Sequence, residues 1–319
     1  EILVDIWLPE GSSFANTEDV ALRIERRLMA EPGVETVTAF IGESAPRFYL
    51  SHEQFFPQNN VAQMIVLPGS IPERERLRRL FPTVLEQEFP EARTRVRLLP
   101  NGPPVPYPVM FRVMGPDPVQ VRRYADEAKA ILRADPRMTG VNDNWNEQIK
   151  VLRLDVDQAR ARALGVSNEA IAHAGETILS GRTIGQYREG DELIGIVLRQ
   201  PLAERDSMTA MSSAYLPTAS GQSIPIAQVA RAELVWEPGV IWRQNRDFAI
   251  TVQGDSVEGV QPATVAVALN RQLDGIRAKM APGYRIEIAG TLAESQKGTG
   301  AITANVPLML FIIFTLLML

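Results

Sequence analysis

The chain has 319 residues, of which 45% are apolar and 22% charged, and its formal net charge is −5. This composition is typical of a folded protein and excludes long intrinsic disorder, and the acidic balance disfavours a nucleic-acid binder. With no cysteine and two histidines, the chain excludes disulfide scaffolds, cysteine nucleophiles and thiolate metal sites, and nearly excludes a multi-histidine metal centre. At roughly 100–200 residues per domain, the length predicts two or three domains.

The first third of the chain predicts the element order β-α-β-β-α-β. The apolar run at residues 1–8 is typical of a strand, and Val20, Ile24 and Leu28 then recur at the spacing of one helix face. Pro82 is expected to kink or break the second helix, because proline cannot donate the helical hydrogen bond. The strands and the helix that follow the first helix are predicted in this order: 34–41, 61–67, 73–88 (helix) and 94–99.

A second copy of this order follows in two pieces. Both copies end their first helix alike, with Leu28-Met-Ala-Glu-Pro-Gly-Val34 in the first copy and Leu132-Arg-Ala-Asp-Pro136, followed by Gly140-Val141, in the second. A βαββαβ unit folds as a ferredoxin-like sandwich, a sheet with two helices on one face. We therefore predict an α+β fold with a first subdomain at 1–107 and a second subdomain split into 108–145 and 246–290. The insert between these two pieces covers 146–245, and a C-terminal segment covers 291–319.

The insert has turn and capping signals of its own. Ser167 is suited to cap the N-terminus of a helix over about 168–179. Residues 183–188 and 193–198 flank Glu189-Gly-Asp-Glu192 as two strands of a hairpin. These elements predict a compact α+β subdomain rather than a flexible linker.

The C-terminal segment is strongly apolar. No charged residue follows Lys297, and residues 306–319 are almost wholly apolar. At about 1.5 Å per residue that apolar run reaches ~21 Å, against a bilayer core of about 30 Å. We predict the first part of a membrane-spanning helix; the alternative is a buried C-terminal helix.

The sequence contains no recognisable catalytic constellation. His52 and His173 lie in no nucleophile motif. Lys297-Gly-Thr-Gly300 lacks the preceding strand and the spacing of a phosphate-binding loop, and Asp155 and Asp157 have no third carboxylate placed to complete a cation site. We therefore predict that the chain is not an enzyme and holds no metal or cofactor.

Two other features suggest binding. Thr38, Phe40, Met64, Phe111 and Val113 lie on predicted strands of the two copies. Because strand side chains alternate between faces, some of them point away from the helices and could line a cleft or contact a partner. The alternative is that they face the helices, and the sequence leaves the phase open.

The second feature is the long loop at residues 42–60, which carries Phe48, Tyr49, Phe55 and Phe56. Long loops within compact domains are usually functional. The loop is either a gate or contact surface, or an Ω-loop that packs its own aromatic rings.

With these elements in place, the chain resembles the second periplasmic loop of a resistance-nodulation-division (RND) efflux transporter, between the seventh and eighth membrane helices, most nearly that of the multidrug branch. The residues that carry the resemblance are Leu8-Pro-Glu-Gly-Ser12, Leu154-Asp-Val-Asp-Gln-Ala-Arg-Ala-Arg-Ala-Leu-Gly-Val-Ser167, Gly221-Gln-Ser-Ile-Pro-Ile-Ala-Gln-Val-Ala230 and Arg243-Gln-Asn-Arg-Asp-Phe-Ala-Ile250. The resemblance implies a part of a proton-driven homotrimer of the bacterial inner membrane. This part would be mostly periplasmic, with two porter subdomains and a docking insert.

The implied partners are a periplasmic adaptor, an outer-membrane channel and small amphiphilic substrates such as drugs and biocides, with no nucleic acid. The alternatives are a heavy-metal-ion exporter and a periplasmic partner-binding protein that does not transport. Met64 and Met110 are present, but the first strand offers no third methionine of the kind that the metal branch uses. Pro46 and Arg47 depart from the glycine-rich switch loop of the drug pumps.

The resemblance also implies substrate contacts, carried over by position. Thr38, Phe40 and Met64 correspond to a deep pocket, and Phe48 to the switch loop. Val109, Phe111 and Val113 correspond to the strand at the cleft entrance, with Asn142 and Val252 opposite that strand.

Overall fold

The computed structural model describes residues 1–102, 104–201, 215–218 and 221–318. These residues form two compact units, one comprising residues 1–149 with 238–319 and the other residues 150–237. Parts of the predicted insert (202–214, 219–220), one linker residue (103) and the last residue (319) lie outside the described residues.

The first sandwich has the predicted βαββαβ order. Its antiparallel sheet has the strand order β2-β3-β1-β4, and both helices pack on one face, where they cover a single apolar core. The elements are β1 Ile2–Trp7, α1 Phe14–Met29, β2 Val34–Ile41, β3 Val61–Pro68, α2 Ile71–Glu88 and β4 Arg93–Leu98.

The apolar stripe on α1 is buried as its spacing predicts, and the Ser13 hydroxyl caps the helix by accepting from the Asn16 backbone N–H. Helix α2 runs through Pro82 as one uninterrupted helix. Leu77 and Leu85 are fully buried in the same core on either side of Pro82, which itself lies on the exposed face. Tertiary packing of that face therefore keeps the helix continuous despite the missing hydrogen bond.

The second sandwich repeats this architecture. Strand β14 pairs with both β6 and β5, and β5 pairs with β15, all antiparallel, while the short β13 extends the edge beside β14. The predicted helix over 263–280 is two helices that meet at Leu273. The elements are β5 Val109–Gly115, α3 Pro118–Ala134, β6 Met138–Asp143, β13 Arg243–Gln244, β14 Asp247–Ser256, α6 Pro262–Gln272, α7 Asp274–Arg277 and β15 Arg285–Ala289.

The unit at residues 150–237 has a core of its own, and its helices and hairpin lie where the sequence predicts them. Its core includes Ile171 and Ile178 on one helix and Leu216 and Val229 outside it. Its elements are β7 Gln148–Val156, α4 Gln158–Ala163, α5 Asn168–Leu179, β8 Arg182–Glu189, β9 Glu192–Leu198, β10 Tyr215–Pro217, β11 Ser223–Pro225 and β12 Ala230–Pro238. The α+β fold class is confirmed.

The C-terminal segment forms one long helix, α8, over Gly290–Met318. Its 29 residues span ~43 Å at about 1.5 Å per residue, and the mean hydropathy of its most apolar stretch is 2.2. By length and composition α8 is able to cross a bilayer. Its first turn is fixed to the sandwich where the Thr291 hydroxyl donates to the Pro108 carbonyl at 2.9 Å.

Candidate binding cleft

The registers of the two sheets determine which side chains face away from the helices. In the first sheet, Trp7 lies opposite Arg93, Asp5 opposite Arg95 and Leu3 opposite Arg97. Ile2, Val4 and Ile6 belong to the core under the helices. All three arginines of β4 therefore lie on the face without helices, which we call the open face.

The second sheet has an open face as well. On β5, Met110 and Arg112 alternate with core residues, and on β14, Thr251 and Gln253 do the same. Together with the loop 42–60, the two open faces enclose a cleft of about 370 Å³. This volume lies within the usual range of small-molecule sites.

Aromatic rings dominate the apolar part of the cleft wall. Trp7 contacts Phe55 with ring centroids 5.8 Å apart, and Phe56 contacts Trp242 at 6.0 Å. Tyr107 lines the same cavity. Because Phe55 and Phe56 belong to the loop 42–60, that loop brings two of the rings to the cleft.

A buried polar network lies under the loop. Asp5, which is 1% exposed, accepts from Arg97 Nε at 2.7 Å and from Gln63 Nε2 at 2.6 Å. Gln63 Oε1 in turn accepts from the backbone N–H of Ala45 at 2.9 Å. The network anchors the loop to the sheet and satisfies the buried carboxylate.

One ion pair joins the two sandwiches across the cleft. Arg95 donates from Nε and Nη2 to the two carboxylate oxygens of Asp255, each at 2.7 Å, and its guanidinium lies 4.0 Å from the centre of the Tyr107 ring. Burial lowers the pKa of Arg95, but the Asp255 carboxylate outweighs it and raises that pKa above its ordinary value. Burial also raises the pKa of Tyr107, so the phenol stays neutral.

The loop 42–60 is fastened at further points. The Tyr49 hydroxyl donates to Asn101 Oδ1 at 3.0 Å, and the Ser51 hydroxyl donates to the Gly102 carbonyl at 2.6 Å. His52 is 1% exposed. Burial, and then the charge of Arg97, lower the pKa of the His52 imidazole. The loop therefore packs its own side chains, and Phe55 and Phe56 also line the cleft. Its role as a gate or contact surface stays a prediction.

The structure places two predicted contact residues on the open face of the first sheet. Thr38 is exposed, and Phe40 is half-buried beside Gln63. Neither of them lines the cavity. Phe48 lies on the loop, 51% exposed and 5.5 Å from the His52 ring, and it is outside the cavity wall too.

Most of the other predicted contact residues lie in the cores. The side chains that lie under the helices are Met64, Val109, Phe111, Val113 and Val252, each fully buried. The structure therefore does not bring them to the cleft. Asn142 lies close behind its wall, where Asn142 Oδ1 accepts from Gln253 Nε2 at 3.0 Å.

The cleft residues that sequence reasoning missed are arginines and tryptophans. Arg93-Thr-Arg-Val-Arg97 already shows strict alternation, the signal of a charged strand face. Trp7 and Trp242 carried no such signal, because each stands in a mixed apolar context. Among the residues that the structure describes, no group of three or more His, Cys, Asp or Glu side chains could hold a metal ion.

Comparison with known proteins gives the family. All 319 residues match the model of the AcrB/AcrD/AcrF family. The chain is 27% identical over 218 residues to the cobalt-zinc-cadmium resistance protein CzcA of Cupriavidus metallidurans, an overlap of 66% of this chain and 20% of CzcA. It is 21% identical over 177 residues to the multidrug export protein AcrF of Escherichia coli, an overlap of 56% of this chain and 17% of AcrF.

The fold agrees with this assignment. A crystal structure of a heavy metal efflux pump superposes with a TM-score of 0.78 at 19% identity, covering 99% of this chain and 33% of the pump. The chain thus spans about a fifth of the length of the first curated relatives that it matches. The match over its whole length shows that the chain belongs to the AcrB/AcrD/AcrF family of RND efflux permeases, which are inner-membrane transporters and not enzymes.

Proposed function

We propose that the chain is the substrate-binding and docking portion of a proton-driven exporter of apolar or amphiphilic compounds. The observation that carries this proposal is the cleft, in which five aromatic side chains from the loop and both sandwiches surround a volume of about 370 Å³. Aromatic walls with a few placed polar groups are typical of sites for organic ligands.

A heavy-metal-ion exporter is the second candidate, because CzcA is named for cobalt, zinc and cadmium and the superposed pump for heavy metals. The chemistry of the cleft disfavours it. Met110 lines the cavity while Met64 lies under the helices of the first sandwich, so these two thioethers share no site. The lining carries four arginines against two carboxylates, Asp5 and Glu53, and this positive balance repels cations.

The partners and the placement in the cell belong to the same proposal. We infer two porter subdomains (1–107, and 108–145 with 246–290), a docking part over 146–245 that meets an adaptor and an outer-membrane channel, and assembly as a homotrimer. Family membership and α8 support an inner-membrane location with this segment mostly in the periplasm. Thr38 and Phe40 remain proposed contacts for substrate that extends along the open face.

The test is calorimetric titration of the chain, in a non-ionic detergent, with neutral naphthalenesulfonamide and separately with Zn²⁺. We expect saturable binding of the aromatic compound, weakened roughly tenfold by Trp242→Ala, and no saturable binding of Zn²⁺. Trp236→Ala is the matched control, because Trp236 is an exposed tryptophan of the other unit.

Two results would contradict the proposal. Saturable Zn²⁺ binding without binding of the naphthalene compound favours the metal exporter. Equal effects of the two tryptophan substitutions would show that the aromatic compound does not occupy the cleft.

A further inference from the structure

The guanidinium groups in the cleft are not equally neutralised. Arg97 is paired with Asp5 and Arg95 with Asp255, in both cases with N–O distances of 2.7 Å. These two pairs are structural, because they anchor the loop and join the two sandwiches. The cleft wall contains two further arginines, Arg93 and Arg112, whose surroundings differ.

Arg112 projects from the middle of β5 and is half-buried. Its strand neighbours are Thr251 on β14 and Glu287 on β15. Glu287 is already engaged, since its carboxylate accepts from Arg285 Nε at 2.9 Å. Within residues 1–102, 104–201, 215–218 and 221–318, the Arg112 side chain forms no hydrogen bond or ion pair. A partly desolvated guanidinium without an acceptor is unfavourable until a ligand supplies one.

Arg93 is on β4, on the open face of the first sheet, and lines the same cleft as Arg112. Its guanidinium stacks on Trp7 at 4.8 Å, and Nη2 donates to Asn146 Oδ1 at 3.3 Å. Its Nε–H is buried and has no acceptor. Buried donors are rarely left unpaired in native proteins, and each one costs free energy. Because the protein closes off this N–H, a ligand in the cleft meets Arg93 only where the rest of its side chain lines the wall.

The charge of the wall agrees with these geometric facts. Two carboxylates line the cleft with its four arginines, namely Asp5 and Glu53, and Asp5 is engaged in the pair with Arg97. Glu53 lines the cavity, and its burial raises the pKa of its carboxyl. The cleft is thus positive although the chain as a whole is acidic.

We propose that the cleft selects anionic amphiphiles, meaning compounds with an aromatic or alicyclic body and a carboxylate or sulfonate headgroup. Arg112 and Arg93 bind the headgroup, and the body lies against Trp7, Phe55 and Trp242. This inference rests on the proposed function and narrows its substrate class. The acceptor oxygens of such a headgroup supply the partner that the Arg112 guanidinium lacks, and charge-assisted hydrogen bonds are about twice as strong as neutral ones.

The test compares two ligands that share the naphthalene ring and differ in the headgroup, which is anionic in one and neutral in the other. Naphthalenesulfonate and the neutral naphthalenesulfonamide are titrated by calorimetry into the whole chain in the same non-ionic detergent. We expect the sulfonate to bind at least roughly tenfold more tightly. Arg112→Gln should abolish most of that preference, and Arg93→Gln should reduce it.

Two further variants serve as controls. Arg231→Gln removes an arginine with a side chain 81% exposed in the other unit, so it should leave the sulfonate preference unchanged. Arg112→Lys keeps the charge and should retain part of the preference. Circular dichroism of each variant checks that the fold is kept.

The outcomes separate the two proposals. Binding of both ligands with equal affinity, or a preference for sulfonate that survives Arg112→Gln and Arg93→Gln, overturns the anion selectivity and leaves the proposed function standing. Failure of both ligands to bind overturns the proposed function itself.

Discussion

In each sandwich, the same strands form two sheet faces that differ in composition and role. The helix-facing side is a continuous apolar core in each sandwich, with Met64 in one and Phe111 in the other. On the cleft-facing side, by contrast, arginines, polar groups and aromatic rings surround a cavity. Since neighbouring residues on one strand belong to the core and to the cleft wall in turn, a substitution at one position and at the next should have unrelated consequences.

The largest expected effect is on the helix-facing side. Phe111→Ala removes a fully buried ring from the second core and should lower the free energy of unfolding by about 3–5 kcal/mol. Denaturant titration followed by circular dichroism measures the loss. The adjacent Arg112→Ala is the matched variant on the cleft side, and its cost should be far smaller; equal costs would break the distinction between the faces.

The next effect concerns the buried carboxylate of the open face. Asp5→Asn leaves the Arg97 guanidinium without its counter-charge and should destabilise the first sandwich by about 3 kcal/mol. Asp19→Asn is the control, because Asp19 pairs with Arg23 at 3.6 Å on an exposed helix surface and should change stability by less than about 1 kcal/mol. A similar small loss for both variants, in the same denaturant titration, would show that the open-face network is not structural.

A pH effect is expected from the loop that covers this face. Burial holds the pKa of His52 below its ordinary value of 6.5, so His52 resists protonation in the folded state. Above that pH the imidazole is neutral in both states. As pH falls below about 6.5 the unfolded state takes up the proton first, and the folded state loses stability until the pH reaches the folded pKa.

Thermal unfolding at pH 7.5 and pH 5.5 measures this pH dependence. His52→Leu should remove part of it, because the substitution removes the buried imidazole. An unchanged dependence in His52→Leu would assign the acid sensitivity to other groups.

The smallest effect is expected on the exposed part of the open face. Thr38→Ala should change the free energy of unfolding by no more than about 0.5 kcal/mol, because Thr38 is exposed and outside the cavity. A loss of ligand affinity in this variant, measured with the naphthalene compounds, would extend the binding surface beyond the cleft.

Strand β1 shows why the sequence could not tell which face of the sheet the predicted contact residues occupy. Its sequence Ile-Leu-Val-Asp-Ile-Trp has apolar residues in both alternating sets, so periodicity could not assign its faces. Strand β4, with Arg93, Arg95 and Arg97 in one set, does define its faces. The faces of β1 follow from those of β4 only once the pairing register is known, in which Asp5 lies opposite Arg95. The local sequence pattern does not predict the register between strands that are distant in sequence.

The sequence by itself determined the order of elements, the repeated sandwich and the apolar C-terminal helix, because helix stripes, caps and hydropathy are local properties. The tertiary structure decided the rest. The continuity of α2 through Pro82, the phase of the sheets and the meeting of Trp7, Arg112 and Trp242 in one cleft depend on contacts between residues far apart in the chain. Such contacts arise only when the two sandwiches and the loop pack together, and the charge that Arg112 leaves unpaired is a product of that packing.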